Sequence, residues 1–268
     1  MIRLMLKQEP PVRVSLSGIV PENLAQTTES EIARRPLLVG KHRATLGDWF
    51  SIHLSGDAED LVIEGSCGRF DHIGAGMSRG SMIVAGDAGA YLGLEMSGGR
   101  ISVEGSAEYG AATAMKGGEI RIRRDAGEAL GGAVPGGRQG MRGGIVLVGG
   151  SAAARCGDRL RLGTIAIAGD VGACCGARMI AGTIVVGGRA GRNVGVAMRN
   201  GTIVALGGAE AVLPSFVESG LHDLVFLRLL ARALAAVGAV GLADRVRPLR
   251  NFRGDLSVRG KGELFVSA

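Results

Sequence analysis

The chain has 268 residues, of which 47 are glycine and 7 proline, with 46% apolar (AVILMFWYC) and only 3% aromatic residues. Apolar content this high with so little proline excludes a disordered chain, and the absence of a Gly-X-Y register excludes collagen. The net charge of +6 is uneven: −4 over residues 1–120, +8 over 121–199 and +2 over 200–268, so the middle of the chain attracts anions.

Nucleic acid is not the implied anion, because 121–199 contains no Phe, Tyr or Trp on which bases could stack. No stretch reaches 18 uncharged apolar residues, and Met1–Pro10 is too short for a secretory signal. The reading is a cytoplasmic protein that meets neither membrane nor nucleic acid.

Residues 1–55 are read as a capping segment. They offer two short strands, Val12–Ser17 and Phe50–Leu54, and a short helix near Thr28–Arg34. Trp49, the only tryptophan, is read as a core plug.

Residues 56–212 carry a repeat. Short strands begin at Leu61, Met82, Ile101, Ile120, Ile145, Ile165, Ile184 and Ile203, at spacings of 21, 19, 19, 25, 20, 19 and 19. Each alternates apolar and other residues, as in Ile101/Val103 and Ile145/Leu147, which is strand patterning. Two residues before the starts stand Gly80, Gly99, Gly118, Gly143, Gly163, Gly182 and Gly201. Four residues after them stand Gly65, Gly86, Gly105, Gly149, Gly169, Gly188 and Gly207, with Arg124 the exception. Five before the next start stand Met77, Met96, Met115, Met179 and Met198, with Leu160 substituting once. Glycines at fixed offsets mark corners, and recurring methionine suits an inward, gap-filling stack. The prediction is an all-β chain: a right-handed parallel β-helix of about eight coils with a C-terminal helix.

After each strand glycine the chain reads Ser66, Asp87, Ser106, Asp125, Gly150, Asp170 and Arg189. That column suits turn capping rather than a calcium ladder. The long spacing contains the insertion Val134–Gly144, either a functional face or a tolerated loop. Beyond the repeat, 213–268 is read as a closing segment. Leu221–Val237 is predicted to be a helix, apolar nearly all round and hence buried on more than one side. Phe252–Val266 returns to strands around Gly260-Lys261-Gly262.

Chemistry-bearing motifs are sparse. Cys67, Cys156, Cys174 and Cys175 show no C-x-x-C spacing, and His42, His53, His72 and His222 are scattered, so no metal set is predicted. No nucleophile elbow, phosphate-binding loop or dinucleotide fingerprint is present. Cys156, taken eleven residues after Ile145, falls in a column of small residues with Gly93, Ala112, Gly131, Gly176 and Gly195 and is read as structural. No catalytic residue is assigned.

The spacing G-x-x-G-x-x-x-G in Gly86/Gly89/Gly93, Gly169/Gly172/Gly176 and Gly188/Gly191/Gly195 resembles a glycine-repeat domain. That domain is shared by glutamate synthase large subunits and the C subunits of formylmethanofuran dehydrogenases. The opening Val14–Leu24, then 31–40 (EIARRPLLVG), 46–52 (LGDWFSI) and the closing 252–266 (FRGDLSVRGKGELFV) look like the C subunit, including its version in bacterial formyltransferase/hydrolase complexes. The resemblance implies a scaffold subunit that holds amidohydrolase-like, formyltransferase and dehydrogenase B-like chains together. It implies no cofactor in this chain, with the metals and a methanofuran-type carrier in the partners. The implied reaction moves a formyl group from tetrahydromethanopterin to that carrier and releases formate during formaldehyde oxidation. A true tungsten or molybdenum dehydrogenase and a glutamate-synthase-like interaction domain are the alternatives.

The resemblance also implies a carrier that ends in glutamyl residues, which need cationic surface. The candidate stripe is Arg138 and Arg142 in the insertion with Arg155, Arg159, Arg178, Arg189, Arg192 and Arg199. It would serve the carrier tail or an acidic partner face; the competing reading is ordinary solvated arginine.

Overall fold

The computed structural model describes residues 1–40, 42–55, 60–246 and 248–267. The start of the repeat at residue 56 lies outside the described residues. The N-terminal segment forms β1 (Ile2–Leu6), β2 (Val14–Ser15), α1 (Pro21–Leu24), α2 (Glu29–Ala33), β3 (Pro36–Val39), β4 (His42–Thr45), α3 (Leu46–Trp49) and β5 (Phe50–Leu54). Helix α2 sits where the sequence predicts it because Thr28 closes a capping box. Glu31 donates its N–H to the Thr28 hydroxyl, and Thr28 N–H donates back to the Glu31 carboxylate at 2.8 Å. The strand expected over Val12–Ser17 shrinks to Val14–Ser15. Trp49 is only half-buried; the plug is Phe50, fully buried with its ring 5.1 Å from that of Phe70.

The repeats supply β6 (Asp60–Ser66), β7 (Phe70–Asp71), β8 (Ser81–Gly86), β9 (Arg100–Val103), β10 (Glu119–Ile122), β11 (Arg142–Val148), β12 (Leu162–Ile167), β13 (Thr183–Val186) and β14 (Thr202–Ala205). The C-terminal segment adds β15 (Val217–His222), α4 (Val225–Ala236), α5 (Val240–Ala243), β16 (Leu249–Gly254), a 3₁₀ turn (Leu256–Val258) and β17 (Gly262–Val266).

These strands correct the expected architecture. They form a 13-stranded mixed sheet, ordered β15-β16-β17-β14-β13-β12-β11-β10-β9-β8-β6-β1-β5, and a four-stranded sheet, β4-β3-β2-β7. Among the described residues no closed barrel or right-handed parallel β-helix of eight coils is formed. The physical reason lies between the strands. There the glycine-rich segments run as turns, and successive repeats are joined by isolated parallel bridges such as Ala107–Ala126 and Ala126–Ala152 rather than by further long strands. The long sheet is parallel from β1 through β17 and antiparallel at its ends, where β5 pairs with β1, β17 with β16 and β16 with β15.

The register differs at one repeat. Ile120 pairs with Val146, not Ile145, so the long repeat spans 26 residues and the next, to Ile165, spans 19. Val146 and Val148 are buried, whereas Ile145 and Leu147 face the other side half-buried. A one-residue slip exchanges the two faces of a strand. With the register corrected, Met141 joins Met77, Met96, Met115, Leu160, Met179 and Met198, all fully buried. Gly144 then replaces Gly143 at the corner before the strand.

Gly118 shows what that corner requires. Its φ is +89°, and an added Cβ would lie 2.8 Å from Met96 Cε and 2.7 Å from the Gly99 carbonyl oxygen. The backbone therefore passes against the methionine of the preceding repeat, where only hydrogen fits.

The Ser/Asp column is a hydrogen-bond ladder in the corrected register, with Ser151 in place of Gly150. Ser106 N–H donates to Asp87 at 2.7 Å, Asp125 N–H to the Ser106 hydroxyl at 3.3 Å, and Ser151 N–H to Asp125 at 2.7 Å. Asp170 N–H then donates to the Ser151 hydroxyl at 3.1 Å, and Arg189 N–H to Asp170 at 2.7 Å. Each side chain thus caps the turn of the next repeat.

The outer face of the sheet carries a second core. Ala166, Val185, Val204 and Phe265 pack against Leu227, Leu230 and Leu234 of α4 and Leu242 of α5. The helix expected over Leu221–Val237 is shorter, because Leu221 and His222 belong to β15. It is also one-sided: Val225 and Leu229 remain 69% and 56% exposed. The sequence could not show that only the sheet covers it.

Asp255 closes the C-terminal end over the last repeat. Burial opposes its charge, but hydroxyls of Ser257 and Ser215 and the N–H groups of Ala197 and Ser257 donate to it, and together they hold its pKa down at about 2. A carboxyl depressed on folding stabilises the fold above its ordinary titration range and loses that contribution as pH falls through the folded value. Urea unfolding of the wild type should therefore lose about 2 kcal/mol from this group between about pH 4.5 and 2, and Asp255→Asn should be less stable near neutrality with a flatter acid limb. Gly118→Ala should cost about 1–3 kcal/mol by the same assay through strain and overpacking. Gly76→Ala, where a Cβ meets nothing within 4 Å, should cost about 1 kcal/mol from φ alone.

Candidate functional site

The corrected register sorts the eight candidate arginines into separate lines. Arg142 and Arg199 share one outward column, in which their N–H groups donate to Met115 and Met179 of the preceding repeats at 2.6 and 2.8 Å. Arg161 belongs to the same column, donating to Met141 at 2.9 Å. Spacings counted from Ile145 hide it, because they put Arg142 one position out of line; Met141 is the signal that reveals it. Backbones in such a column are about 4.8 Å apart. All three side chains are exposed, and none forms an ion pair among the described residues. Lys116 continues the column and is paired with Glu95 at 3.0 Å.

Beside this column lie Arg159 and Arg178, both in left-handed backbone conformation, with φ of +59° and +54°. Arg178 grips Asp158 through two nitrogens, at 2.9 and 2.5 Å. That hydrogen bond raises its guanidinium pKa, against the effect of partial burial. Arg159 has no such partner among the described residues. Arg138 is exposed at the tip of the insertion.

The other candidates do not join this edge. Arg155 is paired with Glu128 at 2.7 Å and Arg192 with Glu210 at 2.6 Å, the latter raising the Arg192 pKa by its hydrogen bond. Arg189 ends the Ser/Asp ladder on the turn line. The structure thus gathers Arg142, Arg161 and Arg199, with Arg159 beside them, as cations without carboxylates of their own. It separates Arg155, Arg189 and Arg192 from them. An edge of this kind suits an extended ligand with carboxylates at intervals, since the guanidinium fork binds each bidentately.

Nucleophiles and bases have structural surroundings. Cys156 does not occupy the small-residue column; in the corrected register Gly157 does. Cys156 lines the core with Leu92, Ala111, Leu130, Cys175 and Val194. Its hydrogen bond to the Cys175 thiol and its burial push its pKa well above the usual thiol range, the reverse of an activated nucleophile. Ser15 Oγ lies 3.1 Å from His72 Nδ1, and the His72 ring stacks on Tyr91 at 5.4 Å. The neighbouring Asp71 is engaged elsewhere, with Arg13 at 2.6 Å and with Ala90 N–H at 2.8 Å. No carboxylate orients His72 among the described residues, so the pair lacks the third member of a catalytic triad. Among the described residues no group of three or more His, Cys, Asp and Glu side chains is arranged to hold a metal ion, and no helix is long and apolar enough to cross a membrane.

Over its full length the chain is 54% identical to the Fhc C subunit of the formyltransferase/hydrolase complex of Methylorubrum extorquens, covering 100% of both chains. The chain belongs to this family of C subunits. Its fold matches a chain of the X-ray crystal structure of the formyltransferase/hydrolase complex (FhcABCD) from the same organism in complex with methylofuran, with a TM-score of 0.93, 42% identity and 99% of each chain covered. The C subunit of the tungsten-containing formylmethanofuran dehydrogenase 2 of Methanococcus maripaludis is 35% identical over 90 residues, 33% of each chain. No family model matches the chain. The likeness to C subunits read from the two ends and the glycine spacing therefore holds over the whole chain for the bacterial complex and over a third of it for the archaeal enzyme.

Proposed function

We propose that the chain is an assembly subunit of a formyltransferase/hydrolase complex, working through its surfaces and not through an active site of its own. The observation that carries this reading is the likeness to the Fhc C subunit, at 54% identity over the whole of both chains. The complex moves a formyl group from tetrahydromethanopterin to a methanofuran-type carrier and releases formate, in one-carbon metabolism within the cytoplasm. Its chemistry belongs to amidohydrolase-like, formyltransferase and dehydrogenase B-like partners. Residues 1–55 and 213–268 serve as the ends and 56–212 as the repeat body. The archaeal likeness extends over too little of the chain to favour a metal-dependent dehydrogenase.

In this reading the cationic edge around Arg142, Arg161 and Arg199 attracts the anionic tail of the carrier, of which methylofuran is the form in the related crystal structure. What supports it is the absence of ion-paired carboxylates beside these three among the described residues, in contrast to Arg155, Arg178 and Arg192.

Co-expression with the three other chains of a related complex should yield a stable hetero-oligomer containing this chain, while the isolated chain should turn over no formyl substrate. Turnover by the chain alone, or failure to enter the complex, would refute the reading. Each exposed arginine–carboxylate contact contributes up to about 1 kcal/mol. The combined variant Arg142→Gln, Arg161→Gln, Arg199→Gln should therefore bind the carrier about tenfold more weakly, with the difference narrowing as salt rises. A combined Arg155→Gln, Arg192→Gln variant should not. Equal carrier binding by all three proteins would return the arginines to ordinary surface.

A further inference from the structure

Helices α4 and α5 cover the outer face of the sheet only in part. Where α5 ends, a groove of about 670 Å³ opens between it and strands β9 to β12, within the size range of specific binding sites. Its floor is apolar, with Leu147 and Ala166 from the sheet and Leu242 from α5. Its rim carries three guanidinium groups, Arg121, Arg123 and Arg245, against the single carboxylate of Glu104.

The rim is partly fixed and partly open. Arg121 donates to the Val237 carbonyl at 2.9 Å and to Glu119, so it is pinned under the end of α4. Arg123 donates to Glu104 at 2.7 Å. Arg245 is exposed and forms no ion pair among the described residues. An apolar floor with an uncompensated arginine beside it is the composition of a recognition hot spot, and arginine gives up its hydration readily to meet a carboxylate.

We propose that this groove receives an extended segment of a partner chain of the same complex, in which an aliphatic or aromatic residue lies beside an Asp or Glu. The apolar side chain settles on Leu147 and Leu242, and the carboxylate meets Arg245. The charge of the rim selects the occupant: a basic or wholly apolar segment would leave Arg245 unpaired at the edge of a desolvated contact. This inference rests on the assembly reading above and adds to it the place and chemistry of one contact.

Gly241 is the point of entry for a test. It lines the groove, and a Cβ built there meets nothing within 4 Å, so a side chain can be added without disturbing the fold. With Gly241 replaced by p-benzoylphenylalanine, irradiation of the assembled complex should join it to one peptide of a partner chain in which an apolar residue is within two positions of an acid. Gly241→Trp and Arg245→Glu should each raise the concentration at which the complex dissociates at least tenfold. Neither should change the melting temperature of the isolated full chain, and Arg79→Glu, on an exposed arginine outside the groove, should leave dissociation unchanged. A complex that assembles normally with both groove variants, or a crosslinked peptide without an acid, overturns the proposal. A wild-type chain that enters no such complex removes the assembly reading itself, and this contact with it.

Discussion

The structure depends on one steric constraint: each repeat must pass against the previous one at hydrogen-bonding distance. At Gly118 the Met96 methyl and the Gly99 carbonyl occupy the space of a side chain, so the corner tolerates only glycine and takes a left-handed turn there. The methionine is the other half of the same contact, since a flexible, unbranched thioether fits an irregular gap that a β-branched residue would not. The glycine-rich, aromatic-poor composition follows. Small residues permit the approach, and the apolar interior is a line of Ile, Val and Met side chains too narrow for many rings.

The same closeness governs the polar residues. A turn repeated at this spacing leaves one N–H per repeat to be satisfied, and alternating Ser and Asp side chains accept it from the next repeat. Leaving such groups unsatisfied would cost more than the bonds themselves contribute. The acids in this column are therefore consumed by the fold. The cations have no equivalent duty to the backbone and are displayed outward, where some find carboxylates and others do not. The chemical character of the surface is set by which arginines remain unpaired more than by how many there are.

Coverage of the sheet is the second determinant. Helix α4 buries Leu227, Leu230 and Leu234 against strands near the C-terminal end and leaves Val225 and Leu229 in solvent. Toward the N-terminal strands the outer face changes from Val185 and Val204 to Ser102 and Arg121, which no longer suit an apolar helix. The groove lies at that change of character.

Sequence alone determined the spacing of the repeats, the inward methionines, the turn-capping Ser and Asp residues and the likeness to C subunits. Each rests on a local pattern repeated often enough to be read by counting. It did not determine the sheet architecture, because a parallel period of about 19 residues is compatible with more than one way of closing the turns. It also misplaced one strand by a residue, since Ile145-Val146-Leu147-Val148 is apolar at every position and carries no alternation to choose a face. Only pairing with Ile120 on one side and Ile165 on the other decided that Val146 points inward. That decision aligned Arg142 with Arg161, 19 residues apart in the chain, and separated Arg155, Arg189 and Arg192 from them. Which charges share an edge is a property of register, and register is fixed by packing between strands rather than by any one of them.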